Sequence, residues 1–478
     1  MNNAWKKRRQ PRRPSKPADT SETLPLEDHL HSGRMLAWFA LQRYDDTGRF
    51  LSEILTDSDS LHALSGQDRG LAVDVASGVV RRRRTIDTLL ESQISRPRSN
   101  VEPDLWRLLQ LGVFQVVFSR TPEHAAVDTT VELAKQIGCS RWCGFANGVL
   151  RNVARLVGEA TTDEPASNTL PTSGGTYRRL EQAIFPDPAV DLPEYVGRVF
   201  SLPRSLARRW SGRLSRSDLL TTCFASLQIP ETCLRINRVA ATVNHVQTAL
   251  TEHGVEVLPG HNPWSLRLPH AARITELPGY AEGWWSVQDE SAMLAAELLA
   301  PQPGEKILDL CAAPGGKSTH LAELSRDTAE ITACDVSEHR LRRVQESVNR
   351  LQFGSIETVL ISRDGEDIPS GPYDAVLVDV PCSNTGVLSR RPEARWRFRE
   401  DELAELVQLQ TRLLLTAMDH VRPGGRIVYS TCSIEPEETT ELVANVASLV
   451  PELTVQSQQL QLPGQPADGA FQAVLQRA

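Results

Sequence analysis

Residues 306–320 read KILDLCAAPGGKSTH: a short apolar run that stops at Asp309 and passes at once into a loop of small residues and then a stretch of helical character. Small side chains and two glycines let such a loop bring its backbone close to a ligand, and the helix behind it offers N–H groups with no intrahelical partner. Apolar runs of the same kind recur downstream as ITACD (331–335), ETVLIS (357–362), YDAVLVDV (373–380) and GRIVYS (425–430), with amphipathic stretches between them. This alternation specifies a mostly parallel, doubly wound α/β sheet, whose ligands sit beyond the carboxyl ends of its strands. Function is expected where each strand stops.

The loop itself, Cys311, Ala312, Ala313, Pro314, Gly315, Gly316 and Lys317, is not a phosphate loop. The GK[ST] ending is present, but the first glycine of that motif would stand at position 311, where the chain has Cys, and there is no GxGxxG for a dinucleotide. A nucleoside with an amino-acid tail suits it better. Asp335 at the end of the second run is placed to accept from ribose hydroxyls, Asp364 follows the third run where an adenine amino group would lie, and Asp379 ends the fourth. One strand-end Asp is more often a cap or turn residue, but several in register behind one loop argue for a site.

Two cysteines leave neighbouring strand ends, Cys382 in DVPCSNTG and Cys432 in STCS. A lone strand-end Cys is more often a small buried apolar residue than a nucleophile, but a pair beside a carboxylate and a nucleoside site reads differently. Carbon 5 of cytosine is a poor nucleophile until a thiolate has added to carbon 6, so methylation there needs a cysteine. Asp379 would face the N3 and N4 edge of the base, while Lys317 would lower a thiol pKa, hold the base, or simply pair with a neighbouring Asp.

Upstream, apolar residues recur at helical spacing from about Ser32 to Gly158, which predicts an all-helical domain over 32–160. Residues 161–177 are polar and rich in Pro, Gly, Ser and Thr and read as a linker. A small α/β domain is expected over 178–300, with strands at 234–237, 255–258 and 265–268 and a helix over 240–252, and the catalytic α/β domain over 301–478. No run is apolar enough for a membrane span, no secretory signal is seen, and eight scattered cysteines fit a reducing cytoplasm. Cys139 and Cys143 lack a second pair at metal-binding distance, so no metal is expected.

The formal net charge is -8, yet positive charge is clustered. Lys6 to Lys16 form a basic tail within residues 1–31, Arg81 to Arg84 run uninterrupted, and Arg390, Arg391, Arg395 and Arg397 surround Trp396. Local patches rather than the total decide nucleic-acid binding, and the Arg81–Arg84 run is expected among phosphate contacts.

The segments DLCAAPGGKSTHLAE, DVPCSNTGVLSRRPEARWR and YSTCSIEPEE resemble the signatures of the RNA cytosine-5 methyltransferases of the Nop2, Sun and Fmu type. DRGLAVDVASGVVRR, LGVFQVVFSRTPEHAAVDTTVELAK and ANGVLRNVARL resemble the RNA-binding factor NusB. The resemblance, from about Met35 to the C-terminus, implies a NusB-like RNA-binding domain ahead of a second small RNA-binding domain. A Rossmann-like class I methyltransferase domain follows, its sheet seven-stranded with one strand reversed near Phe471. It further implies S-adenosyl-L-methionine held by Cys311 to Lys317 with Asp335, Asp364 and Asp379, Cys432 as nucleophile, and Cys382 assisting product release. The implied product is 5-methylcytosine at position 967 of 16S ribosomal RNA, with no obligate protein partner. Transfer RNA as substrate and an inactive RNA-binding assembly factor are the alternatives. Two departures stand out: DGAFQAVL (468–475) keeps one aromatic residue where the family usually has two, which suggests a trimmed last hairpin, and SLPRSLARRW (201–210) matches the middle domain only loosely.

Overall fold

The computed structural model describes residues 32–56, 58, 64–172, 174–270, 273–363, 365 and 367–478; the basic tail and Asp364 lie outside them. The N-terminal part is helical because its helices carry apolar stripes and several have start signals. Ser32 caps Gly33–Thr47 by accepting from Met35 N at 3.3 Å, and Ser65 caps Gly66–Gln93 by accepting from Asp68 N at 3.1 Å. Pro103 opens Pro103–Phe118, where its missing N–H costs nothing, and Leu105, Leu108, Leu109 and Val113 of that helix are buried. Glu123–Gln136 and Cys143–Leu156 complete the packing.

The expected linker is structured. Val157–Thr162, Thr169–Pro171 and Tyr177–Leu180 form a three-stranded antiparallel sheet with the last in the middle. Its few apolar residues, Leu170, Tyr177 and Leu180, are buried in the same core as the helices. Three short strands need only that much apolar surface when a preformed core receives it, which a polar composition hides. The helices Leu192–Val199, Arg204–Arg213 and Arg216–Leu227 join that core too, so the small α/β unit begins at Thr232 rather than 178. There, Thr232–Ile236 lies between Ser265–Leu268 and Trp285–Val287, with the two-residue strand Leu258–Pro259 at the edge and helix Val243–Glu252 packed alongside. Trp285–Val287 is invisible to a sequence reading, since three residues carry no readable period.

The C-terminal sheet has strands β1 (Lys306–Asp309), β2 (Glu330–Asp335), β3 (Ile356–Leu360), β4 (Tyr373–Asp379), β5 (Val421–Thr431), β6 (Leu453–Gln461) and β7 (Ala470–Arg477), in the order β3-β2-β1-β4-β5-β7-β6. The first five are parallel, and β7 runs antiparallel to β5, as expected near Phe471. The last hairpin is not trimmed: Leu453 pairs with Arg477 and Gln461 with Ala470, and Phe471 is fully buried against Tyr429.

The Arg81–Arg84 run does not form an open basic surface. Arg81 donates to Ser389 O at 2.9 Å, and Arg82 donates to Pro171 O at 3.2 Å and lies over the Phe118 ring. Arg83 pairs with Asp45 and Arg84 with Glu194, each at 2.7 Å. The run that reads as a phosphate contact is thus spent on carbonyls and carboxylates brought in from distant segments. Arg395 is fully buried and donates to Arg81 O, Ser201 O, Ser226 O and Leu388 O at 2.7–3.3 Å, among others. Burial, with Arg81 and Arg82 nearby, pulls its pKa down to about 9. Trp396 Nε1 donates to Val80 O at 2.8 Å, and Leu388, Ala394 and Phe398 sit in the N-terminal core. Arg395 is therefore a clasp between the helical part and the catalytic domain.

Replacing Arg395 with Ala orphans several buried carbonyls at about 1–3 kcal/mol each. Arg395→Ala is expected to lower unfolding stability by about 3 kcal/mol or more, read from urea denaturation. A midpoint matching the parent chain would show that the clasp contributes nothing.

Candidate active site

β1 ends at Asp309, whose carboxylate is fully buried and accepts from Ser318 Oγ at 2.7 Å. Burial pushes its pKa up to about 7, against the opposing hydrogen bond of Ser318. The loop then turns at Gly315, with φ 99°, into helix Gly316–Leu324. A Cβ at Gly315 would lie 3.1 Å from Val344 Cα, so only glycine combines that backbone with that approach. Cys311 is packed against the core of the sheet, where burial raises its thiol pKa.

Asp335, at the end of β2, is nearly buried and braces the loop: it accepts from Ala313 N at 3.3 Å and Ser337 N at 3.0 Å. Arg340 pairs with it at 3.2 Å and donates to Ala313 O at 2.6 Å. Arg340 went unread in the sequence, although its place in the first turn of helix Glu338–Leu351, next to a strand-end Asp, was a usable signal. Asp364 lies outside the described residues.

Asp379 ends β4 and receives Lys317 Nζ at 2.7 Å, so the pairing role foreseen for Lys317 is the one present. Burial alone would lower the Lys317 pKa, but the attraction and hydrogen bond of Asp379 outweigh it and the net shift is upward. β4 and β5 pair in parallel with Asp379 opposite Ser430. Both chains leave the sheet at the same edge, and Cys382 Sγ lies 3.0 Å from Cys432 Sγ. The hydrogen bond between the sulfurs favours one thiolate and opposes a second: ionisation at Cys382 is pulled below the ordinary thiol value, and at Cys432 it is pushed well above it.

Three further residues, none placed at the site by the sequence, frame the pair. Asn384, in the left-handed region at φ 59°, accepts from Cys432 Sγ at 3.4 Å and donates to Cys382 O at 2.8 Å. Arg391, exposed at the mouth, donates to Asn384 Oδ1 at 3.0 Å. Glu438 lies behind both cysteine loops, accepting from Ser383 N at 2.9 Å. Among the described residues no cluster of His, Cys, Asp and Glu suits a metal ion, and no helix is long and apolar enough to cross a membrane.

Residues 296–472 match the family model described as 16S rRNA methyltransferase RsmB/F, and residues 31–155 match the NusB family. A probable ribosomal RNA small subunit methyltransferase B from Synechocystis is 36% identical over 412 residues, 85% of this chain and 87% of that one. The ribosomal RNA small subunit methyltransferase B of Salmonella paratyphi A is 32% identical over 455 residues, 92% of this chain and 98% of its own length. The chain belongs to the small subunit methyltransferase B family. This RsmB-type chain shares its fold along almost its full length with the crystal structure of PH0851, at TM-score 0.72 and 23% identity over 95% of this chain and 99% of that one. NSun6 from Pyrococcus horikoshii matches at TM-score 0.52 and 18% identity, over 57% of this chain and 98% of its own.

The family is S-adenosylmethionine-dependent, and the donors and acceptors present fit that cofactor. The N-terminus of the helix that follows Gly315 suits a carboxylate, and Asp335 suits a pair of hydroxyls. Asp335→Ala removes a charged acceptor worth about 1.5–3 kcal/mol. Calorimetry should then show S-adenosylmethionine binding weaker by at least about tenfold. Parent-like affinity would take Asp335 out of the cofactor site.

Proposed function

We propose that this chain methylates carbon 5 of a cytosine in 16S ribosomal RNA, cytosine 967, in the cytoplasm, through a covalent Cys432 adduct. The observation that carries the reading is the 3.0 Å pair of sulfurs beside the Lys317–Asp379 ion pair. Methyl transfer to a nitrogen or a carboxylate needs no thiol, so two at one strand edge favour carbon 5 chemistry. The small subunit rRNA target rests on the names of the relatives, and the position on the family resemblance.

The thiol pair enters the reaction with one proton between its two sulfurs. In the resting pair that proton lies on Cys432, whose ionisation is the disfavoured one; it passes to Cys382 as Cys432 adds to carbon 6 as the thiolate. Asp379, beside the N3 and N4 edge, stabilises the charge that develops as the sulfur adds, and Lys317 holds Asp379 in place. The Cys311–Lys317 loop with Asp335, Asp364 and Asp379 would hold S-adenosylmethionine, which would supply the methyl group to the carbon 5 nucleophile so created. Cys382 loses its proton to solvent and takes the proton from carbon 5; the bond between carbon 6 and Cys432 breaks, and the pair again holds one proton. One proton is released per turnover.

Denaturing electrophoresis with substrate RNA and cofactor separates the two thiols. Cys432→Ala should give neither adduct nor product, whereas Cys382→Ala should still attack but stall as a protein–RNA adduct. An adduct from Cys432→Ala and none from Cys382→Ala would exchange the roles, and full activity without adduct in both would end the covalent mechanism. Bisulfite sequencing of RNA from cells with and without the gene reads the modified cytosine directly, and loss at a transfer RNA position would move the substrate.

A further inference from the structure

β4 and β5 hold the two cysteine loops together only as far as the sheet extends. The last backbone link of the ladder between them is Val380 N to Ser430 O at 3.0 Å, and beyond it Pro381–Asn384 and Thr431–Ser433 are not strand-paired with each other. On the far side, Gly386 N donates to Cys432 O at 2.9 Å and Thr385 Oγ1 accepts from Ile434 N at 3.1 Å. Behind the sulfurs, both loops also meet the side chain of Glu438. Glu438 Oε1 accepts from Ser383 N at 2.9 Å and from Gln410 Nε2 at 2.8 Å. Its Oε2 accepts from the hydroxyls of both Ser383 and Ser433. Gln410 also reaches Pro381 O at 2.9 Å, and Tyr429 OH donates to the Glu438 carbonyl at 2.8 Å.

Glu438 is fully buried, and among the described residues it has no ion-pair partner. A buried carboxylate without a cation is costly unless each lone pair is met, and here four donors meet it. Three of the four come from the residues that follow the cysteines: the Ser383 N–H, the Ser383 hydroxyl and the Ser433 hydroxyl. Those serines lie 50 positions apart in the chain, with their hydroxyls 3.1 Å from each other.

We propose that Glu438 is a positioning residue of the two-thiol centre: its carboxylate brackets the Cys382 and Cys432 loops and holds the two sulfurs in hydrogen-bonding contact. The inference deepens the covalent reading above and rests on it for its role in catalysis. The bracket sets the distance over which the proton passes from Cys432 to Cys382. Without it each thiol titrates nearer its ordinary value, because the shared proton is what favours the first thiolate. The other charged or titratable groups facing the pair are Asp379, Lys317, Arg391 and the Tyr429 phenol, and none of them links the two loops.

The test is the pH profile of thiol alkylation by iodoacetamide on the full-length protein, alongside methyl transfer and S-adenosylmethionine binding. Glu438→Ala is expected to bind the cofactor as the parent does while its alkylation profile moves to higher pH. Turnover should fall about a hundredfold, the order seen when a reacting group is displaced by about 1 Å. Glu438→Gln can accept from Ser383 N and Gln410 and donate to the two hydroxyls, so it should restore the parent alkylation profile. A parent-like profile in Glu438→Ala, or a Glu438→Gln profile displaced as far as that of Glu438→Ala, overturns the proposal. Should Glu438→Ala lose cofactor binding through misfolding, the double variant Ser383→Ala/Ser433→Ala carries the test with the same expected shift, and an unmoved profile overturns it. The alkylation readout needs no RNA, so a wrong substrate would abolish methylation in the parent protein while the alkylation profiles still decide whether the bracket exists.

Discussion

The parallel pairing of β4 with β5 is the constraint on which the candidate site depends. Parallel neighbours end at the same edge of a sheet, so the chains that follow Asp379 and Ser430 are forced to emerge side by side. Antiparallel pairing would have sent Cys382 and Cys432 to opposite edges. The pairing is held by burial on both faces: Val376, Leu377, Val378, Ile427, Val428 and Tyr429 are all fully buried. β1 lies on the other side of β4 and delivers Lys317 to Asp379 by the same logic. The chemistry is thus gathered by strand order, and the loops need only make the last few ångströms.

A few charges do structural work in the interior. Arg235 on strand Thr232–Ile236 is as buried as Arg395, but it pairs with Glu323 at 2.9 Å and also donates to Gly316 O at 2.7 Å, tying the middle unit to the turn that follows β1. Guanidinium groups suit this work, since a rigid fork of donors can meet several acceptors without giving up its charge. Glu438 does the converse with a carboxylate.

Where the strands lie was legible because a strand buried on both faces must be an apolar run, and β1, β2, β4 and β5 are such runs ending in named residues. The two cysteines and three of the strand-end aspartates, Asp309, Asp335 and Asp379, could be placed on one edge for the same reason. Other features were hidden by their partners' distance in sequence. Arg81 to Arg84 read as a basic patch because nothing near them in sequence shows Ser389 O, Pro171 O or Glu194. Residues 161–177 read as a linker because the core that receives Leu170 and Tyr177 is built by helices elsewhere. Glu438 is one of several acidic residues in IEPEE, and only folding sets it apart from the half-exposed Glu437, which pairs with Arg209.

The placement of residues 388–434 has a consequence for how the chain is made. Leu388, Ala394, Phe398, Leu403 and Ile434 belong to the same apolar core as the N-terminal helices, whose last member ends at Leu227. On the ribosome those helices emerge first, and Ile434 follows about 200 residues later, a wait of roughly 10–40 s at about 5–20 residues per second. For that interval the carbonyls that Arg395 later meets are open to water and the apolar seat of Phe398 is unfilled. The helical part is therefore born with an exposed sticky face, and nascent chains held at that length are the ones on which a chaperone would find its footing.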